Sequence, residues 1–195
     1  MKTNHININE LVDKAKFTPF HWGVLIWCLL VIIFDGYDLV IYGVALPLLM
    51  KEWGLSPVEA GFLASTALFG MMFGALIFGP LADKIGRKPI LIGSVFVFGL
   101  ASLLSAFSPD MSTLVVLRFI TGIGLGGAMP NAITLTSEYC PSTRRSSLVT
   151  LMFCGFTVGS ALGGIVSAQL LSVVDWHGIL AIGGVLPLLT LPFLL

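Results

Sequence analysis

The chain has 195 residues, 56% hydrophobic and only 10% charged, and its ten basic and ten acidic side chains give a formal net charge of zero. Soluble domains carry about 25% charged residues, so this composition argues against a soluble enzyme or a nucleic-acid binder and for an α-helical membrane protein. Cys28, Cys140 and Cys154 are odd in number and fall two in apolar runs and one at a loop, which disfavours a disulfide framework, and His5, His21 and His177 are too scattered for a metal site.

Residues 1–21 read as a polar tail without the apolar core and small-residue cleavage site of a signal peptide. Ile8, Leu11, Val12 and Ala15 recur at helical spacing beside Lys14 and Lys16, which fits either a short interfacial helix or a solvated tail. The run 22–50 is long enough to cross a bilayer, for which roughly 20 apolar residues suffice. Trp22 at its entry suits the membrane interface, and Asp35 and Asp38 lie inside it. A polar loop over 51–57 leads to a second helix over 58–81, with Gly61, Gly70, Gly74 and Gly79. Small residues at four-residue spacing let helices approach closely. A strongly basic connection from Gly79 to Pro89 follows, then a third helix over 90–107 and a turn at Ser108-Pro109-Asp110. The fourth helix, 112–138, carries Arg118 ahead of Gly122, Gly124, Gly126 and Gly127. The fifth, 146–172, carries Gly155, Gly159, Gly163 and Gly164. The sixth, 179–195, is still apolar at Leu195, so the chain reads as incomplete at its C-terminus.

Orientation follows from lysine and arginine. Lys2, Lys14, Lys16, Lys84, Arg87, Lys88, Arg144 and Arg145 fall in the tail and the even-numbered connections, against Lys51 alone in the odd ones. The N-terminus and the even loops are therefore expected in the cytoplasm.

Either intramembrane carboxylate costs at least ~2.5 to 3.5 kcal/mol at the bilayer centre on insertion scales, and such residues are usually functional. Three residues apart, Asp35 and Asp38 share a helix face that must look onto a water-filled cavity or a buried cation. At 1.5 Å per residue, Asp38 lies about 17 Å and Asp35 about 21 Å below the outer end of their helix, and Arg118 roughly 10 Å below that of the fourth. The three are expected to share one central cavity, with the guanidinium offsetting part of the cost of burying the acids. The acids read either as a structural pair or as a proton site, Asp38 the carrier and Asp35 its partner. Arg118 reads as a site for an anionic substrate or a charge partner of the acids, against an arginine that snorkels to the interface. Tyr42 and Asn131 either line the same cavity or pack between helices. At the cytoplasmic side, Asp83, Arg87 and Glu138 are placed to form an ion-pair latch, with membrane anchoring by Lys84, Arg87 and Lys88 as the alternative. No nucleophile–base set or zinc cluster is present in the sequence. Gly122-Ile123-Gly124-Leu125-Gly126-Gly127 lacks the preceding strand and the lysine of a phosphate loop. The expectation is a protein that is not an enzyme, with no cofactor, no metal and no nucleic-acid partner.

Gly79, Asp83, Lys84, Gly86, Arg87 and Lys88 complete the pattern G-x-x-x-D-[RK]-x-G-R-[RK], and this connection is similar to the signature between helices two and three of the major facilitator superfamily. Arg118 with Gly122, Gly124 and Gly126 resembles that superfamily's helix-four signature, found in proton-coupled members. Asp35-Gly36-Tyr37-Asp38 resembles the D-G-[FY]-D element of its aromatic acid:proton symporters. Leu135 to Tyr139 with Arg144-Arg145, and the run Leu151 to Gly164, look like the same branch. Ser160 stands where the antiporter signature has a proline, which weakens a drug-efflux reading.

The resemblance implies one half of a two-half transporter, six transmembrane helices as 3+3 inverted repeats, with residues 1–21 a tail and 22–195 the N-terminal half. It implies uptake of benzoate, hydroxybenzoates or related acids with a proton across a bacterial inner membrane. The partners expected are a carboxylate substrate, a proton, the lipid bilayer and a C-terminal half absent from the sequence. In the mechanism expected, Asp35/Asp38 load a proton, a carboxylate sits near Arg118, and Phe34 and Tyr37 stack on its ring or pack toward lipid. The latch, with Gly79, Gly86 and Lys88 in its motif, closes the inner side. Proton-driven export of an organic compound and a non-transporting half-length membrane subunit are the rival readings.

Overall fold

A computed structural model describes residues 18–170 and 175–194. The possible interfacial helix around Ile8 to Ala15 and the end of the predicted fifth helix at 171–172 lie outside these residues. Among the described residues the chain forms six helices and no strand: α1 Pro19–Trp53, α2 Pro57–Ile85, α3 Arg87–Ser105, α4 Met111–Tyr139, α5 Ser142–Leu170 and α6 Trp176–Leu194. The first five are long and apolar enough to cross a membrane, and Trp176–Pro192 is a shorter apolar helix. The protein is a multi-pass α-helical membrane protein.

Most helices outrun the apolar stretches that predict them, because polar residues at their ends continue the backbone hydrogen bonding until a local stop signal. Lys51, Glu52 and Trp53 extend α1 to Gly54, which takes the left-handed conformation (φ 65°) and donates its N–H to the Met50 carbonyl. After that stop, the Ser56 N–H donates to Glu59 Oε2 (2.8 Å) and the Glu59 N–H donates to Ser56 Oγ (3.3 Å). This reciprocal cap, with Pro57 in the first turn, starts α2. The basic connection expected from Gly79 to Pro89 is helical except at Gly86, whose φ of 103° is open to glycine and strained for other residues. α3 accordingly begins at Arg87, three residues earlier than predicted, and ends two earlier at Ser105.

Packing follows a 3+3 pattern. α2 lies along α4 and α5 along α1, while α3 packs on α4 and α6, and α6 on α1. Exchanging the first three helices with the last three maps these contacts onto one another, as an inverted repeat requires. Glycines make the two main seams: Gly70 and Gly74 of α2 meet the backbone of Phe119 and Ile123, and Gly122 and Gly126 of α4 meet Ala67 and Met71. In the related seam Gly36 of α1 meets the Phe156 carbonyl and Gly159 of α5 meets that of Ile33. A methyl group at any of these positions would run into backbone. Gly61 and Gly79 face open space, so the glycine row of α2 packs only in part.

The outward faces of α2 and α5 expose Phe69, Phe73, Leu76, Phe153, Leu162 and Ile165, an apolar surface. Inside, two apolar clusters fill the bundle. One holds Leu25, Val31, Ile32, Val95, Ala132 and Met152; the other holds Ile41, Leu49, Leu63, Leu114, Ile179 and Leu180. Along α1, Asp35 and Asp38 fall between Ile32 of the first cluster and Ile41 of the second. The bundle thus carries a polar layer between two apolar ones.

Candidate functional site: a buried ion pair between two apolar layers

The acidic residues of α1 face inward, where α4 and α6 pack on α1, α3 reaches Asp38 through Ser102, and α5 closes on Gly36. Asp35 and Asp38 are both buried, at 3% and 2% exposure. The partner of Asp38 comes from α4. Arg118, 1% exposed, donates from Nη1 to Asp38 Oδ2 at 3.0 Å. Its guanidinium also lies 4.5 Å from the centre of the Tyr42 ring, within range of a cation–π contact. Of the two surroundings expected for the acidic face, a buried cation is what Asp38 meets.

Ser102 of α3 completes the coordination, donating from Oγ to Asp38 Oδ1 at 3.1 Å. The carboxylate therefore ties three helices together. Desolvating two opposite charges is repaid only when geometry is good and the remaining oxygens are bonded; both oxygens of Asp38 are. Other groups in this layer are less well served. Asp35 Oδ2, Arg118 Nε and Nη2, and the hydroxyls of Tyr37 and Tyr42 have no hydrogen-bond partner among the described residues. Tyr37 is buried at 5% exposure and so does not face lipid, while Phe34 is half-buried.

Asn131 belongs to a different group. Thirteen residues along α4 from Arg118, about 20 Å at the helical rise, it donates to the Gly127 carbonyl (2.7 Å) and accepts from Arg87 Nη1 (3.4 Å). Of the two readings of Asn131, lining the Asp38 cavity or packing between helices, these contacts fit the second. Arg87 also pairs with Asp83 and, through Nε, with Glu138 Oε1 at 3.5 Å. One guanidinium from the start of α3 so holds the end of α2 and two positions on α4. Gly86 provides the turn that brings it there, a methyl group at Gly79 would meet open space, and Lys88 is exposed.

Two residues of the layer escaped the sequence reading. Ser102 sits in an apolar helix where a lone serine carries no signal. Ser160 registered only as a missing proline, yet its hydroxyl lies 3.2 Å from the Gly36 carbonyl and 3.0 Å from the Phe156 carbonyl, at the seam beside the two acids.

Comparison with known proteins agrees with this architecture. Residues 28–195 match the family model described as Major Facilitator Superfamily. The benzoate transport protein of Acinetobacter baylyi is 48% identical over 197 residues, spanning 98% of this chain and 42% of that protein. The 4-hydroxybenzoate transporter PcaK of Pseudomonas aeruginosa is 47% identical over 183 residues, spanning 94% of this chain and 41% of that protein. The chain thus spans about two fifths of the length of these relatives. In fold it is similar to the proton:xylose symporter XylE bound to 6-bromo-6-deoxy-D-glucose, with a TM-score of 0.82 at 20% identity, over 90% of this chain and 44% of that one.

Proposed function

The chain belongs to the Major Facilitator Superfamily, and from that premise we propose that it forms the N-terminal half of a proton-coupled importer of aromatic carboxylic acids such as benzoate or 4-hydroxybenzoate. The observation that carries this reading is the buried Asp38–Arg118 pair, in a chain 47–48% identical to proteins named as transporters of these acids. Asp38 takes up the proton and Arg118 is its counter-ion, held over Tyr42. With Arg118 only 1% exposed inside the six-helix half, the charge-partner role suits it better than direct contact with a substrate. Protonation of Asp38 removes the negative charge that Arg118 is paired with, leaving a weaker neutral hydrogen bond, and the half repacks as the site turns from one side of the membrane to the other. Asp35, three residues away in the same layer, serves as the partner of Asp38.

The basic end of the bundle, with Arg87, Lys88, Arg144 and Arg145, faces the cytoplasm of a bacterial inner membrane. There the Asp83–Arg87–Glu138 group, with Asn131, holds the inner face of the half in one arrangement. A second six-helix half supplies the other wall of the substrate site.

The test is the flux of labelled benzoate in vesicles prepared from native membranes, under an imposed gradient acid on the outside. Inward accumulation that collapses with a protonophore is expected. Outward flux driven by proton entry would establish the export reading instead, and accumulation indifferent to the protonophore would remove proton coupling.

A further inference from the structure

We propose that Asp38 takes its proton on Oδ1 and that Ser102 is the group that receives the resulting carboxyl O–H. The inference rests on the reading of Asp38 as the proton carrier. Its two oxygens face different chemistry: Oδ2 accepts from Arg118 Nη1 (3.0 Å), whereas Oδ1 accepts from Ser102 Oγ (3.1 Å). A guanidinium has N–H donors, no acceptor, and does not give up its proton. A proton on Oδ2 would therefore point at another proton. A serine hydroxyl donates and accepts, and its hydrogen rotates.

The exchange balances. A proton arriving at Oδ1 forms an O–H bond that donates to Ser102 Oγ. The serine's own hydrogen swings away from Asp38 toward the carbonyl one turn back, that of Phe98. Ser105 makes the equivalent bond to Ala101 in the same helix, at 2.8 Å. Oδ2, now the carbonyl oxygen, keeps its bond from Arg118. No bond between heavy atoms breaks, and the Ser102 hydroxyl and Arg118 Nη1 each have an acceptor before and after. This matters because Asp38, Ser102 and Arg118 are all 2% exposed or less, where an unmatched O–H is expensive.

The surroundings leave this role to Ser102. Asp35, Tyr37 and Tyr42 come from α1 itself and Arg118 from α4. α6 brings Gly183, where a methyl group would stand 3.7 Å from Ser102 Oγ, and α5 brings Ser160 to the Gly36 carbonyl. Ser102 is the one amphoteric group among the described residues that bonds to Asp38.

The experiment uses protein purified from its own membranes and reconstituted in lipid, as wild type, Ser102→Ala, Ser102→Thr and Asp38→Asn. The infrared C=O stretch of protonated Asp38, assigned by its loss in Asp38→Asn, reports whether the carboxyl O–H is bonded. A hydrogen-bonded band is expected in wild type and Ser102→Thr, displaced to the higher frequency of a free acid in Ser102→Ala. In parallel, Ser102→Ala is expected to lower benzoate accumulation driven by a pH gradient about tenfold, the worth of roughly one hydrogen bond. Ser102→Thr, which keeps the hydroxyl, is expected to restore accumulation. An Asp38 band at the same frequency in Ser102→Ala as in wild type overturns the proposal, whatever the transport result. Retained accumulation in Asp38→Asn would instead overturn the reading of Asp38 as the proton carrier, while the infrared band still reports whether Ser102 bonds the Asp38 carboxyl.

Discussion

Two arginine–carboxylate groups, one in the middle of the bundle and one at its basic end, use the same chemistry under opposite conditions. Arg118 and Asp38 have side chains 1% and 3% exposed. Arg87 is 23% exposed and its partners Asp83 and Glu138 are 64% and 50% exposed. Burial decides what each group can do. Water competes for the outer group, so it can open and close at little cost, as a latch must. The inner pair has no such relief: losing one partner strands a charge, and the state of Asp38 is felt by α1, α3 and α4 together.

The largest effect is expected from breaking the inner pair on one side. Arg118→Gln or Asp38→Asn leaves the other charge buried and unpaired, and should destabilise the bundle by about 3–5 kcal/mol. Removing both charges in the double variant should cost less than either single change, because no charge is stranded. Thermal unfolding of the purified variants in one detergent reads this directly; additive losses would mean that the two groups do not act as a pair.

A smaller loss is expected where the scaffold positions Arg118. Gly122→Ala places a methyl against the Ala67 carbonyl in the α2–α4 seam. Overpacking of this kind typically costs about 1–3 kcal/mol. The same substitution at Gly79, in open space, should leave the melting temperature near wild type. Equal melting temperatures for the two variants would show that the seam is looser than its backbone contacts indicate.

The smallest effect belongs to the outer group. Glu138→Gln should change stability by about 0.2–1 kcal/mol, and the change should shrink as salt rises. A loss as large as that of Asp38→Asn, or one indifferent to salt, would erase the contrast between the two groups.

Much of this was legible in the sequence because a bilayer restricts the options. Apolar runs gave the six helices, and the cost of Asp35 and Asp38 in one of them marked the polar layer before any contact was known. Depth along two antiparallel helices also put Arg118 near Asp38. Helix ends were less legible: Lys51 to Trp53 and Lys84-Ile85 look like loop but continue their helices until Gly54 and Gly86 stop them. Asn131 had two readings open from sequence, cavity lining or helix packing, and thirteen residues along α4 from Arg118 bring it to Arg87. Ser102 was invisible for a different reason, since an isolated serine in an apolar helix acquires meaning only when another helix presents a carboxylate to it.

The most direct test of the central claim is benzoate accumulation under an imposed pH gradient by the double variant Asp38→Asn/Arg118→Gln, which removes both charges and strands neither. Coupling through this pair predicts a folded protein that reaches membranes at wild-type levels and accumulates no benzoate against its gradient. Accumulation at the wild-type level would contradict it and place the proton elsewhere.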